Sequence, residues 1–131
     1  MSKPRPRQNF SSGAPLEPVV GYSRAVKVGD RVIVAGTAPI WPDGSVNLEP
    51  GTQAERCLQI ITEVLAEAGA GPQDVVRTRI YITDVAHADI VGKAHGAFFG
   101  EILPASTMVV VAGLLDPRWK VEIEAEAVVD A

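Results

Sequence analysis

The stretch WKVEIEAEAV, residues 119–128, decides the fold. Trp119, Val121, Ile123, Ala125 and Ala127 fall on one face of an extended chain, and Lys120, Glu122, Glu124 and Glu126 on the other. A period of two belongs to a β-strand, so this is a strand with one core face and one charged face. Successive carboxylates on the charged face stand about 6.7 Å apart. They repel by about 0.6 kcal/mol at the dielectric of bulk water and about 2.5 kcal/mol at an effective dielectric near 20. The strip is therefore either solvated or matched by cations. Arg77 and Arg79, at alternating positions of another strand, match it if the two strands are neighbours.

Working outward, residues 105–112 read as a strand with apolar side chains on both faces, Met108 and Val110 on one and Val109 and Val111 on the other. Residues 75–83 form a strand whose inner face carries Val76, Thr78, Ile80 and Ile82 and whose outer face carries Arg77, Arg79, Tyr81 and Thr83. Residues 22–28 and 31–36 flank Gly29-Asp30, a two-residue hairpin turn with glycine first. Tyr22, Arg24 and Val26 share a face there. Residues 11–20, with two prolines and a glycine, predict an extended lead-in, and Pro42-Asp43-Gly44 predicts a turn. Residues 52–68 predict a helix with Ala54, Cys57, Leu58, Ile61, Val64, Leu65 and Ala68 on its buried stripe. Thr52 and Glu55 fit a capping box, and Gly69 fits the stop. A second helix, with Asp84 at its N-cap and Gly100 at its end, places Ile90, Val91, Ala94, Ala97 and Phe98 inward. Its Gly92 and Gly96 each cost roughly 1 kcal/mol, which close packing on the sheet explains.

The order of elements describes an α+β fold (a mixed α/β sandwich), with a mixed sheet of five to six strands and two helices on one face. Two helices leave the second face bare, although Val32 to Ala35 and Met108 to Val111 are apolar on both sides. Self-association through the sheet, closed by rotational symmetry, is the expected cover.

The 131 residues suit one domain, expected over 11–131, behind a loose tail over 1–10. Apolar residues at 47% and charged ones at 21% exclude a disordered chain. A net charge of −4 with no basic block argues against nucleic-acid binding. One cysteine forbids an internal disulfide, and two histidines supply no cluster for a metal. No run of about 18 apolar residues exists to span a membrane. The first ten residues lack the apolar segment of a secretory signal, so a cytoplasmic location is expected. Cys57 reads as core filler and His87 as a surface residue, and the two tryptophans as packing or the wall of a cleft. Ser106 and Thr107 have no Asp-His relay nearby in the sequence, which argues against a nucleophilic triad.

Seven segments, GYSRAV (21–26), VAGTAPI (34–40), TQAERCLQII (52–61), AGAGPQDVVRTRIYITD (68–84), AHGAFF (94–99), LPASTMVVVAGL (103–114) and VEIEAEAVV (121–129), together resemble the RidA/YjgF superfamily, also called the endoribonuclease L-PSP family. The resemblance runs from about residue 8 to the end. It implies a chorismate-mutase-like fold (bacillus type) and a homotrimer whose sheets close into a barrel, with small-molecule clefts between subunits. It also implies hydrolysis of enamines or imines such as 2-aminoacrylate without metal or organic cofactor.

The resemblance also implies roles for residues. A glutamate of the last strand orients or activates water, and that position is Glu122. The arginine that grips the substrate carboxylate falls on Ser106, within Leu103-Pro104-Ala105-Ser106-Thr107-Met108. Tyr22 matches a pocket tyrosine, and Ala35-Gly36-Thr37 matches a strand end that usually reads Ser-Gly-Gln. A helix asparagine falls on Gly92 and an aromatic near it on His95. The expected cleft is therefore lined by Tyr22, Arg24, Gly36, Thr37 and His95, with Ser106, Thr107 and Met108, around Glu122. A serine cannot replace a bidentate guanidinium, so the usual 2-aminoacrylate deaminase activity is expected to be weak or absent. Arg24 or Arg79 either substitutes for the missing cation or pairs with the glutamate strip. The competing class is a non-catalytic homotrimer that binds a metabolite or a protein.

Overall fold

The computed structural model describes residues 6–129. In chain order the elements are strands β1 (Arg7–Phe10), β2 (Ala25–Val28) and β3 (Arg31–Thr37), helix α1 (Pro50–Glu67), strand β4 (Val75–Ile82), helix α2 (Ala88–Phe99), and strands β5 (Ala105–Val110) and β6 (Val121–Val128). They build one six-stranded mixed sheet in the order β1-β2-β3-β6-β4-β5, with both helices packed on one face. The strand that carries the glutamates is thus interior, antiparallel to β3 on one side and to β4 on the other. β4 and β5 run parallel, and α2 is the crossover that such a pair requires.

The core lies between this sheet and α1. Val121, Ile123, Ala125 and Ala127 are buried as expected, beside Val32, Val34, Ile80 and Ile82. Leu58, Ile61 and Leu65 of α1 cover them, each contributing about 1.5–3 kcal/mol over an exposed position. Gly29 opens the hairpin turn with φ of 59°, as glycine first in such a turn requires. Pro42 sits second in a turn closed by Gly44 N–H donating to Trp41 O at 2.8 Å.

Several local expectations are corrected. Helix α1 begins at Pro50, and its cap is the Glu49 carboxylate, which accepts from Gly51 N at 3.0 Å and Thr52 N at 2.6 Å. An extended Glu49 reaches both orphan amides, so the Thr52–Glu55 box is not needed. Those amides, Thr52 first, hold the Glu49 carboxyl below its usual range. At the other end, Ala70 N–H bonds Leu65 O at 2.8 Å and Gly69 N–H bonds Ala66 O at 3.1 Å, with Gly69 at φ of 80°. This is a Schellman close.

Two bulges re-aim side chains. One between Val75 and Arg77 turns Val75 into the core and leaves Val76 46% exposed, reversing the expected choice. The other, between Val34 and Thr37, buries Thr37. In α2 the inward face runs through Val91, His95 and Phe99, while Ile90 and Ala97 are exposed. A glycine and a histidine on that face hide it from an apolarity count. The expected close packing of Gly92 and Gly96 is absent: a β-carbon on Gly92 would meet only Met108 Cε at 4.0 Å, and one on Gly96 would meet open space.

The expected tail divides as well. Residues 1–5 lie outside the described ones, but Arg7–Phe10 is an edge strand paired to β2 from Arg7↔Val28 to Phe10↔Ala25. Backbone pairing there outweighs the polar composition. The lead-in is not extended throughout, since Glu17–Gly21 makes one turn of π-helix. The buried Glu17 carboxylate anchors it by accepting from Ser12 N at 3.0 Å, the Ser12 hydroxyl and Ala14 N. Burial opposes that charge, yet the Ser12 and Ser11 contacts and the two amides outweigh it and hold the carboxyl below its usual range.

A single side chain ties α1 to the entry of β6. Gln53 is 1% exposed; its amide nitrogen donates to Asn47 O at 2.7 Å and Arg118 O at 2.9 Å, and its oxygen accepts from Lys120 N at 2.7 Å.

Candidate functional site

The sheet face turned away from the helices carries the charge. Arg79 Nη1 lies 3.2 Å from Glu124 Oε1 and 3.7 Å from Glu126 Oε1, and Arg31 Nη2 lies 3.5 Å from Glu126 Oε2. The Tyr81 hydroxyl donates to Glu124 Oε1 at 2.7 Å, a bond that, with burial, pushes the phenol pKa up. Two of the three glutamates are therefore matched by cross-strand cations, with Arg79 as the expected partner and Arg31 as an unexpected one. Arg77 stands opposite Glu126 in register but makes no ion pair among the described residues.

Glu122 differs from its two neighbours. Tyr81 is its cross-strand partner, and among the described residues no cation bonds its carboxylate. The carboxyl lies over Gly36, where a β-carbon would come within 3.4 Å of Oε1. Arg24 lies beside it, with Nη2 donating to Gly36 O and Nε buried without a partner among the described residues. Burial raises the Glu122 pKa; the Arg24 charge offsets part of this and Glu124 adds to it. Burial likewise works against the Arg24 charge, which Tyr22, Glu17 and Glu122 support. Tyr22 rims a broad depression of ≈770 Å³ on the same face, with Glu17, Asn9, Val26 and Ile33 among its walls. Glu122, Gly36, Arg24 and Tyr22 thus gather at one place.

The remaining expected residues form a second cluster. Ser106 stands in register with Thr78 and points to the helix side of the sheet. The Thr78 hydroxyl, fully buried, donates to Ser106 Oγ at 2.8 Å and lies 2.8 Å from His95 Nε2. Phe99 packs on the His95 ring with centroids 4.8 Å apart, and burial lowers the imidazole pKa, favouring the neutral ring. Met108, two residues beyond Ser106, completes this face beside Gly92. Thr107 points to the opposite side, in register with Arg79. Thr37 joins neither cluster: it is 1% exposed and its hydroxyl donates to Ala35 O at 2.8 Å. The bulge in β3 is the reason.

The two clusters do not meet within one chain. β4 separates β5 from β6, a span of about 10 Å, and Ser106 and Glu122 point to opposite faces. Sequence reasoning passed over Thr78, Tyr81 and Glu17. Thr78 alone left a signal, as the one hydroxyl on an otherwise aliphatic strand face. Among the described residues, no group of three or more His, Cys, Asp or Glu is arranged to hold a metal ion, and no helix is long and apolar enough to cross a membrane. Cys57 is buried in the core, which pushes its thiol pKa well up and leaves it inert.

Comparison with known proteins gives this geometry a context. The family model described as "Endoribonuclease L-PSP" matches residues 12–129. The chain belongs to the RidA/YjgF superfamily. Its chorismate-mutase-like fold is that of the crystal structure of Rv2704 from Mycobacterium tuberculosis, a member of the YjgF/YER057c/UK114 family. The two are 44% identical and superpose with a TM-score of 0.87 over 95% of this chain and 100% of that one. Among relatives, "Uncharacterized protein SCO2049" of Streptomyces coelicolor is 39% identical over 92% of this chain and 90% of its own length. The 2-iminobutanoate/2-iminopropanoate deaminase of Salmonella typhimurium is 34% identical over 82% of this chain and 86% of its own.

Proposed function

We propose that this RidA/YjgF member is a cytoplasmic, homotrimeric hydrolase that acts without a cofactor on an imine or enamine, in a cleft between subunits. The observation that carries the proposal is Glu122, the one glutamate of its strip with no cation bonded among the described residues, half-buried against Gly36 with its pKa raised by burial. A carboxylate in that state suits proton transfer near neutral pH. Glu122 takes a proton from water as the water oxygen bonds to the imine carbon. It returns that proton to the nitrogen, giving a carbinolamine. Glu122 then moves the carbinolamine's hydroxyl proton to the nitrogen, the carbon–nitrogen bond breaks as the carbonyl forms, and ammonia leaves. Two half-sites on opposite faces of one sheet need a second copy to close on one small molecule, which supports the trimer. The Salmonella relative, a 2-iminobutanoate/2-iminopropanoate deaminase, supports the reaction class.

Ser106 sets the departure from that relative's chemistry. A charge-assisted hydrogen bond contributes about 1.5–3 kcal/mol, so a site without the bidentate clamp turns over 2-iminopropanoate roughly tenfold to several-hundredfold more slowly. The test is ammonia release from imines generated in the assay, compared with Glu122→Gln. The variant is expected to lose about 10²–10⁴-fold in kcat with its oligomeric state unchanged. Equal turnover by Glu122→Gln would exclude the proposed role. The uncharged Ser106 cluster also favours a second reading, a non-catalytic homotrimer that binds a metabolite or a protein. Binding with no ammonia from any imine is its signature.

A further inference from the structure

We infer that the end of the cleft formed by His95, Thr78 and Ser106 selects molecules carrying an uncharged hydrogen-bonding group, a carboxamide in place of a carboxylate. This deepens the hydrolase reading and rests on it for the identity of the cleft.

The three side chains form one line from the interior to the surface. Thr78 is 0% exposed, and its hydroxyl holds His95 Nε2 and Ser106 Oγ, each at 2.8 Å. With the neutral His95 carrying its proton on Nε2 and donating to Thr78, the one Thr78 proton goes to Ser106, so the Ser106 hydroxyl keeps its own proton for an outside acceptor and its remaining lone pair for an outside donor. A carboxamide offers both partners. Nothing in the line is charged: the imidazole is half-buried against Phe99 with no carboxylate bonded to it.

The nearest cations in sequence are directed elsewhere. Arg77 and Arg79 flank Thr78, so their side chains leave the opposite face of β4, and Arg79 is held by Glu124 and Glu126 at 3.2 and 3.7 Å. Lys93, two residues before His95, lies on the exposed side of α2. A carboxylate placed on Ser106 gives up water for one neutral hydroxyl, whereas a carboxamide gives up much less. Thr78 and His95 act through Ser106 and are positioning residues. By locking one side of the hydroxyl they fix the direction in which it donates.

The test compares pyruvate with pyruvamide, the oxo counterparts of the charged and uncharged imines, by calorimetric titration of the full chain. Pyruvamide is expected to bind roughly tenfold or more tightly than pyruvate. Ser106→Ala should bring the two affinities together, and Ser106→Arg should reverse the order. Thr78→Val should reduce the ratio mainly by weakening pyruvamide, and Thr78→Ser should restore it. Equal or tighter binding of pyruvate by the unmodified chain overturns the inference, as does binding of neither compound at millimolar concentration. A ratio unchanged in folded Ser106→Ala also overturns it. Ammonia release separates the two claims. Preference for pyruvamide with no imine hydrolysed removes the hydrolase reading and leaves this inference standing, whereas Glu122-dependent hydrolysis with no such preference does the reverse.

Discussion

The two faces of β6 solve opposite problems along the same eight residues. On the helix side, Val121, Ile123, Ala125 and Ala127 are sealed under α1 in the apolar core, with the buried Thr37 and Thr78 in register beside Ile123 and Ala125. On the other side, Glu122, Glu124 and Glu126 are only half-buried, and two of them are neutralised by arginines from β3 and β4. Placing β6 inside the sheet serves both faces, since an interior strand has a neighbour on each side to supply core or countercharge. The first face supplies the core, and on the second Glu122 alone of the three has no cation bonded to it among the described residues.

Substitutions on the two faces should therefore behave differently. Ile123→Ala, on the sealed face, should lower unfolding stability by about 2–5 kcal/mol in urea titrations. Tyr81→Phe, which removes one hydrogen bond to Glu124 on the open face, should cost about 0.5–1.5 kcal/mol. Arg79→Ala should cost about 0.2–1 kcal/mol, and the difference should shrink in 1 M salt because both partners are partly exposed. Glu122→Gln should carry the opposite sign. The folded-state pKa of Glu122 is raised, so its protonated form is favoured by folding and that advantage fades as pH rises through the raised value. The glutamine variant should melt at or slightly above the unmodified chain at neutral pH, and the gap should close in acid. An equally large loss from Arg79→Ala and Ile123→Ala would erase the contrast between the faces.

What the residues themselves disclosed follows the range of the forces involved. The alternation in 119–128 and the stripe of α1 are local periodicities, and both stand in the structure. The bulges at Val75/Arg77 and Val34/Thr37 are mismatches between two strands, so neither strand shows them alone. Val76, expected inward, therefore faces out, and Thr37, expected in the cleft, is buried. Glu49 takes the cap in place of Thr52 because its carboxylate reaches forward to the amides of Gly51 and Thr52 in the first turn. The pairing of Arg7–Phe10 depends on an edge that β2 offers 15 or more residues later. Glu122, Gly36 and Ser106 were found through resemblance, but the division of the site into two clusters was not, since it depends on strand order. Thr78 became meaningful only when α2 brought His95 to it across 17 residues of chain.

Gln53 carries a further consequence. One buried amide joins the first turn of α1, the backbone at Asn47 and the backbone at Arg118 and Lys120. The segment leading into β6 cannot peel away without stranding that amide in the interior. Local opening at Lys120 is thereby tied to loosening of α1, and the two segments should exchange their amide hydrogens in step, as one cooperative unit.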